Sequence, residues 1–165
     1  MTSEHLLHTI PPIYDRNSKI LILGSFPSVK SREVSFYYGH PQNRFWRVLA
    51  AVLGCAVPSS NEEKTALLQS HNIALWDVIK SCDIVGSSDS SIKNVVPNDI
   101  GVILSSCGIR QIYSNGKTSE KLFNKYIKDT VGRDTVALPS TSPANASYSL
   151  ERLTDSWSVI KNNIR

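Results

Sequence analysis

The sequence predicts an α/β fold: a three-layer α/β/α sandwich around a central four-stranded parallel sheet. Two observations predict it, namely short and almost wholly apolar runs of strand length, and helix-spaced apolar patterns that lie between them. Strands that alternate with helices favour a parallel sheet covered on both faces. The chain has 165 residues, of which 41% are hydrophobic and 19% charged, so a single domain spanning residues 1–165 is expected.

Four apolar runs are the expected strands, and they cover residues 19–23 (KILIL), 73–78 (IALWDV), 111–114 (QIYS) and 135–138 (TVAL). Apolar residues at helical spacing predict helices over residues 43–53, 98–107, 118–128 and 150–164. Ser60 and Glu63 form a capping box that predicts a further helix before ALLQ. In parallel sheets, ligand sites lie in the loops at the carboxyl ends of the strands. Those loops here are GSFPS (24–28), the segment after LWDV, SNGKTS (114–119) and PSTSPANAS (139–147).

Charge and cysteine content narrow the class of protein. The formal net charge of +4 and the pI near 9.0 allow a polyanionic partner without demanding one. Cys55, Cys82 and Cys107 show neither a CxxC pair nor metal-ligand spacing, which predicts reduced thiols, a cytoplasmic location and no metal. The N-terminus lacks the basic and apolar regions of a secretory signal, and no apolar run approaches transmembrane length.

The loop GSFPS does not match either common phosphate-binding loop, since it lacks the GK[ST] ending and the GxGxxG pattern. Ser25 and Ser28, with the neighbouring backbone N–H groups, could bind an anion, or the loop could be a structural turn. The same two alternatives apply to residues 139–147. The hydroxyls of Ser140, Thr141 and Ser142 suit either a phosphate or a helix cap.

The segment YYGHPQNRFW (37–46) is the most informative part of the chain. It places aromatic residues, His, Pro and Asn together at the expected mouth of the sheet. Ordinary structural roles stay open for its members: Phe45 and Trp46 could belong to the core, His40 could be a loop residue, and Asn43 could cap the helix that follows.

Taken in order, GSFPS, YYGHPQNRFW, LWDV, SNGK and PSTSP resemble the motifs of the uracil-DNA glycosylase superfamily, and most closely those of its hypoxanthine (deoxyinosine) DNA glycosylase branch. The HPxNRFW block is the most specific, because mismatch-specific uracil-DNA glycosylases carry a similar block at the same place. The resemblance implies a repair enzyme that flips a deaminated base out of double-stranded DNA and hydrolyses its N-glycosidic bond. It also implies that the reaction needs no cofactor. We expect a monomer without a membrane partner, and single-stranded DNA stays open as an alternative substrate.

The resemblance assigns the water-handling role to Asn43. Many superfamily members carry Asp or Asn before the Pro of the first motif, where this chain has Phe26, which cannot orient water. A neutral amide positions water but does not deprotonate it, which suffices if bond cleavage runs ahead of water attack and the sugar gains oxocarbenium character. Ser140 and the backbone N–H groups around Ser25 are the expected donors to the leaving base, so Asn43 and Ser140 are the expected catalytic residues.

Base recognition is expected to centre on Asp77, which stands where many relatives have Asn. A carboxylate can accept from the N1–H of hypoxanthine, a proton that adenine lacks. The alternative is that Asp77 braces a loop. Tyr38 and Phe26 are expected to stack on the flipped base, and Ser140, in place of a His of uracil-excising relatives, leaves room for a purine. The expected base-binding residues are Gly24, Ser25, Phe26, Tyr38 and Asp77.

Contacts to the DNA backbone are expected at the same edge of the sheet, from Ser28, His40, Lys117, Thr141, Ser142 and Asn145. Because the loop after PSTSP lacks a Leu wedge, Asn145 or Tyr148 is expected to fill the emptied base stack. Lys30, Arg32, Arg44 and Arg47 could add to a basic rim around the site or could be solvated surface charges.

Three other functions compete with this prediction. A mismatch-type uracil-DNA glycosylase belongs to the same class. A nucleic-acid-binding domain that has lost its catalyst is the non-enzymatic alternative, and Phe26 is the observation that favours it. A small-molecule α/β hydrolase is disfavoured because the chain has no GxSxG motif.

Overall fold

The computed structural model describes residues 2–165. In chain order its elements are β1 (Glu4–Leu7), β2 (Ile20–Gly24), α1 (Val29–Val34), α2 (Phe45–Leu53), α3 (Asn61–Ser70), β3 (Ile73–Asp77), β4 (Ile79–Ile84), β5 (Lys93–Pro97), α4 (Gly101–Ser106), β6 (Gln111–Asn115), α5 (Lys117–Tyr126), α6 (Lys128–Val131), β7 (Thr135–Leu138) and α7 (Leu150–Trp157). Short 3₁₀ helices cover Asp89–Ser91 and Ser158–Asn162. Among the described helices, none has the length and apolarity needed to cross a bilayer.

The central sheet has four parallel strands in the order β3-β2-β6-β7. These are the four strands that the apolar runs predict, each within one residue of the predicted bounds at either end. The α/β class and the four-stranded parallel sheet are therefore confirmed.

Side chains of β2 alternate between two apolar cores, as the two-residue period of a strand requires. Ile20 and Ile22 belong to the core that α2, α3 and α7 cover, and Leu21 and Leu23 to the core on the α4 and α5 side. All four side chains are fully buried. A strand buried on both faces must be a continuous apolar run, which is why the sequence revealed it.

The predicted helices over residues 43–53, 98–107, 118–128 and 150–164 are present as α2, α4, α5 and α7, with different bounds. α2 begins at Phe45 because Asn43 Oδ1 accepts the Phe45 N–H at 2.9 Å. α4 starts later than predicted because the Asn98 side chain instead donates to two backbone carbonyls in the turn after β3. The capping box is partly confirmed: Ser60 Oγ caps α3, but the Glu63 carboxylate accepts from Ser59.

A second sheet, antiparallel and three-stranded in the order β1-β4-β5, was not predicted. Its strands are short and carry Lys, Asp, Asn and Ser among few apolar residues, so neither hydrophobicity nor alternation marks them. β4 follows β3 after the single residue Val78, and β1 pairs with it in the register Leu6 to Cys82. The pairing continues one residue past β1, where the His8 N–H donates to the Lys80 carbonyl at 2.7 Å. This small sheet therefore carries the N-terminal segment to the end of β3.

Trp157 joins the core to the loop after β7. Its side chain is buried, its ring packs edge-on against Phe45 with centroids 5.8 Å apart, and its Nε1–H donates to the Pro139 carbonyl at 2.9 Å. Pro139 is the first residue of the predicted site loop 139–147, so this bond fixes where that loop starts.

We predict that Trp157→Phe lowers the free energy of unfolding by about 1–3 kcal/mol, because the Pro139 carbonyl loses its donor. Trp76→Phe is a matched control, since Trp76 Nε1 is buried but has no hydrogen-bond partner within residues 2–165. Urea denaturation measures both variants. Equal losses of stability would contradict the anchoring role of Trp157.

Candidate active site

A cavity of about 370 Å³ opens at the carboxyl edge of the parallel sheet. This volume lies within the range of about 300–1,000 Å³ that is typical of small-molecule sites. All four predicted loops contribute to its wall, together with the segment before α2. The lining residues are 24–28, Ser31, Tyr37, Tyr38, His40, Asn43, Asp77, Ser87, Asp89, Asn115 and 140–144.

Most of the predicted site residues lie together in this wall. They are Gly24, Ser25, Phe26, Ser28, Tyr38, His40, Asn43, Asp77, Ser140, Thr141 and Ser142. Lys117 and Asn145 are not in the wall. Lys117 is an exposed residue at the first position of α5, and the Asn145 amide donates to the Ser140 carbonyl at 3.0 Å.

Asn43 is held by a chain of hydrogen bonds that links three loops. Its Oδ1 accepts from the Phe45 N–H and from the Thr141 hydroxyl, both at 2.9 Å. Thr141 Oγ1 in turn accepts from Asn115 Nδ2, and Asn115 Oδ1 accepts the Thr141 N–H, each at 3.0 Å. A backbone N–H group donates at each end of this series of hydrogen bonds, so the donor and the acceptor in every one of them are fixed. The carboxamide oxygen of Asn43 is thus occupied, and Nδ2, unbonded within the described chain, is the group left for a ligand or water.

Asp77 is a buried carboxylate with one occupied and one free oxygen. The residue is 4% exposed, and Oδ2 lies 2.7 Å from Nε2 of His8, whose side chain is 2% exposed. No protein group between residues 2 and 165 donates to Oδ1. Oδ1 lies against Gly24, where a Cβ atom would come within 2.4 Å of it. Only glycine leaves room for the carboxylate at this position.

His8 was missed by the sequence analysis. It lies outside every motif and 69 residues from Asp77 in the chain. No local spacing joins the two, because the contact depends on the pairing of β1 with β4.

Tyr38 places a hydroxyl beside this carboxylate. Its φ of 53° lies in the left-handed region, and its ring stacks on Phe45 at a centroid distance of 4.1 Å. Phe45 therefore covers one face of the Tyr38 ring even without a bound base. Its hydroxyl is buried, unpartnered among the residues described, and 3.0 Å from the position of a Gly24 Cβ. Burial, and then the charge of Asp77, raises the pKa of Tyr38 far above its usual value, so the hydroxyl keeps its proton, and the nearby Asn115 amide acts weakly in the opposite direction without meeting the geometry of a hydrogen bond.

The adjacent Tyr37 has a different role. It belongs to the core, where its hydroxyl donates to the backbone carbonyl of Pro11 at 2.9 Å. Burial also raises its pKa.

The GSFPS loop is hydrogen-bonded to the residues that follow β3. The carbonyls of Gly24 and Ser25 accept the N–H groups of Val78 and Ile79 at 2.8 and 3.1 Å. The N–H groups of Ser25 and Phe26 make no protein hydrogen bond in the described structure, so they remain available as donors. Phe26 is 9% exposed, and its ring packs edge-on against the His8 ring with centroids 6.0 Å apart.

Asp89 adds a carboxylate that the sequence analysis did not single out. It comes from the Ser-rich loop between β4 and β5, and its Oδ1 accepts from Ser25 Oγ at 3.3 Å. Partial desolvation at the cavity wall raises the pKa of the Asp89 carboxyl, and the hydrogen bonds from Ser25 and Thr118 act in the opposite direction.

Several residues expected at a DNA-facing surface have internal partners instead. Thr141 is fully buried under Asn43. Arg44 is not free for a basic rim, because its guanidinium donates to the carbonyls of Ser142, Asn145 and Tyr148 and so fastens the loop before α7.

Three further residues from the expected set have local partners. Ser28 Oγ caps α1, Ser142 Oγ accepts the Ala144 N–H, and His40 Nδ1 accepts the Gln42 N–H. Arg32 donates to the Gly86 carbonyl and lies over the ring of Phe26, and Arg152 covers the ring of Tyr148.

The resemblance implies base excision from a deoxyinosine duplex. We predict that Gly24→Ala slows this reaction by about 100-fold or more, the effect of displacing a site group by about 1 Å. The new methyl group would collide with Asp77 Oδ1 and approach the Tyr38 hydroxyl. Gly108→Ala is the matched control, since a Cβ there meets nothing within 4 Å. Single-turnover rates check the prediction, and an unimpaired Gly24→Ala variant would contradict the proposed packing.

The chain is similar to two proteins named Hypoxanthine DNA glycosylase. The one from Methanosarcina barkeri is 36% identical over 137 residues, which cover 82% of this chain and 85% of that protein. The one from Methanosarcina acetivorans is 35% identical over 152 residues, which cover 91% of this chain and 94% of that protein.

A solved structure is similar as well. The solution NMR structure of a uracil DNA glycosylase candidate from Methanosarcina acetivorans matches with a TM-score of 0.79 at 34% identity, covering 92% of this chain and 94% of that one. The model that describes the Uracil DNA glycosylase superfamily matches residues 11–161. The chain therefore belongs to the uracil DNA glycosylase superfamily.

Proposed function

We propose that this protein is a monofunctional DNA repair glycosylase that excises hypoxanthine from deoxyinosine in double-stranded DNA and leaves an abasic site. The observation that carries the proposal is the pair of groups at the end of β3: the free Oδ1 of Asp77 and the buried, unpartnered hydroxyl of Tyr38. The names of the two similar Methanosarcina proteins support the same substrate.

These two groups complement one edge of hypoxanthine. That edge carries an N1–H donor beside the O6 acceptor. Asp77 Oδ1 would accept from N1–H, and the Tyr38 hydroxyl, which keeps its proton, would donate to O6. Adenine offers an acceptor at N1, so Asp77 Oδ1 would be left unpaired, which is how polar sites reject an analogue. The Tyr38 hydroxyl can accept from the adenine N6 amino group, so discrimination against adenine rests on Asp77. Guanine shares the hypoxanthine edge, but a mismatched base costs less to flip than one in a stable G·C pair.

Asn43 would position the attacking water. Because Oδ1 already accepts two hydrogen bonds, the group offered to water is the Nδ2–H donor. Such a donor holds the water oxygen but cannot take its proton. This favours a sequence in which the bond from C1′ to the base breaks first, its electron pair stays on the base, and water then adds to the oxocarbenium-like sugar.

The leaving base would be stabilised by neutral donors. The N–H groups of Ser25 and Phe26 are unpartnered within residues 2–165 and lie in the cavity wall. Ser140 Oγ accepts the Ser142 N–H at 3.1 Å, which leaves its own proton free to donate to the base. Preorganised donors of this kind favour the anionic leaving group without the need for a charged catalyst.

Contacts to the DNA backbone are proposed at the rim of the cavity. His40 and Ser142 lie in its wall, and Lys117 follows directly after Asn115 and Gly116 at the start of α5. We infer a monomer that acts in the cytoplasm. All three cysteines are free, which supports a reducing compartment.

The activity is tested on duplexes that contain deoxyinosine, deoxyuridine or deoxyxanthosine and on single-stranded deoxyinosine DNA, each followed by alkaline cleavage at abasic sites. We expect deoxyinosine to be cleaved fastest. Faster cleavage of a G·U duplex would make the protein a mismatch-type uracil-DNA glycosylase. DNA binding without cleavage of any substrate would make it a non-enzymatic binding domain.

We predict that Asn43→Ala lowers the single-turnover rate on deoxyinosine by about 100-fold or more, the scale of positioned catalytic groups. Duplex affinity should change much less than the rate, because Asn43 is proposed to contact the water and not the DNA. Asn124→Ala, an exposed amide on α5, is the matched control. A full rate for Asn43→Ala would contradict the role of Asn43 in positioning water.

A further inference from the structure

We propose that His8 is a positioning residue for base specificity: its imidazole donates Nε2–H to Asp77 Oδ2 and thereby fixes the orientation of the carboxylate, so that Oδ1 is held as an acceptor in the base cavity. The inference rests on the proposed recognition role of Asp77. It adds a residue from outside the superfamily pattern, because the match to the family model begins at residue 11.

His8 and Asp77 have the geometry of a strong hydrogen bond that is shielded from solvent. The two atoms lie 2.7 Å apart, and the side chains of His8 and Asp77 are 2% and 5% exposed. A carboxylate oxygen accepts hydrogen bonds, so Oδ1 matches the N1–H of hypoxanthine and not the N1 acceptor of adenine. Without the hydrogen bond to His8, no side chain in the described structure holds the carboxylate in this orientation. The His8 donor therefore sets the position of the acceptor that reads the purine edge.

Other groups near the carboxylate do not replace His8. Throughout residues 2–165, no second side chain donates a hydrogen bond to the Asp77 carboxylate. The Tyr38 hydroxyl is unpartnered, and the Tyr37 hydroxyl donates to backbone carbonyls. Arg32 makes no hydrogen bond to Asp77: its Nη2 donates to the Gly86 carbonyl, and its Nη1 is buried without a partner among residues 2–165.

The His8 ring is fixed in place from three directions. Phe26 packs edge-on against it, Tyr37 lies at a centroid distance of 6.1 Å, and the His8 N–H is bonded to the Lys80 carbonyl of β4. The antiparallel sheet thus has a function in the site, since it brings an N-terminal donor to the end of β3.

The test compares binding of two duplexes that differ only in the flipped base, hypoxanthine or adenine, each opposite thymine. Both use a 2′-fluoroarabino sugar, whose fluorine opposes positive charge at C1′ and so prevents excision. The wild type should bind the hypoxanthine duplex more tightly. His8→Leu should reduce that preference by about 10- to 100-fold, as expected for loss of a hydrogen bond to a charged group. His8→Gln, whose amide can place a donor where Nε2 lies, should keep most of it.

Two controls separate this role from a structural one. His5 and Asp83 form a pair of the same length, 2.7 Å, in which the His5 side chain is 63% exposed, and neither residue lines the cavity. His5→Leu should leave the preference unchanged within about twofold. In an Asp77→Asn background, His8→Leu should have no further effect on the preference, because His8 acts through Asp77.

The outcomes separate the inference from the proposed function. A wild type that does not excise hypoxanthine overturns the proposed function, while the binding preference still tests His8. The inference is overturned if the wild type shows no preference between the two duplexes. It is also overturned if His8→Leu retains the full preference while thermal unfolding shows it to be folded.

Discussion

The site is built around the buried carboxylate of Asp77. An ionised Asp77 at 4% exposure would cost several kcal/mol without a partner, and the partner that the structure provides is His8. His8 can reach Asp77 because β1 pairs with β4, and β4 begins two residues after β3 ends. Asn98 holds the turn between those strands through the carbonyls of Asp77 and Ile79. The small antiparallel sheet therefore brings a hydrogen-bond partner to this buried carboxylate.

The same carboxylate explains the first motif of the chain. Gly24 must lack a side chain because Asp77 Oδ1 occupies the space, and the carbonyls of Gly24 and Ser25 hold the strand end that carries Asp77. Phe26, which stands where many superfamily members have a water-activating residue, instead packs against the His8 ring. In the proposed mechanism this position supports base recognition through the contact of Phe26 with His8. The attacking water would be positioned by Asn43, whose orientation is fixed by Thr141 and Asn115.

Much of the fold and of the site could be predicted from the sequence. The physical reasons for this success also explain which elements could not be predicted. Buried parallel strands are continuous apolar runs, so β2, β3, β6 and β7 were predictable, and parallel topology then required their terminal loops to meet. Asn43, Asp77 and Tyr38 do line one cavity. The strands β1, β4 and β5 have no such pattern.

Sequence patterns also could not predict which polar side chains pair when they are far apart in the sequence. His8 with Asp77, Arg44 with the loop before α7, and Thr141 beneath Asn43 depend on which loops meet in space. Composition and spacing identify polar residues at a sheet edge but not which of them bond to each other. Thr141 was accordingly expected at the DNA surface and is buried beneath Asn43 instead, and Arg44, a candidate for a basic rim or a solvated charge, is bonded to the loop before α7.

The most direct test of this account is the crystal structure of the Asn43→Ala variant bound to a duplex with a 2′-fluoroarabino deoxyinosine. The account predicts a flipped hypoxanthine with N1 at about 2.7–3.2 Å from Asp77 Oδ1 and O6 at hydrogen-bond distance from the Tyr38 hydroxyl. A base bound with its N1 and O6 edge toward solvent, or an Asp77 that touches no part of the base, would contradict it.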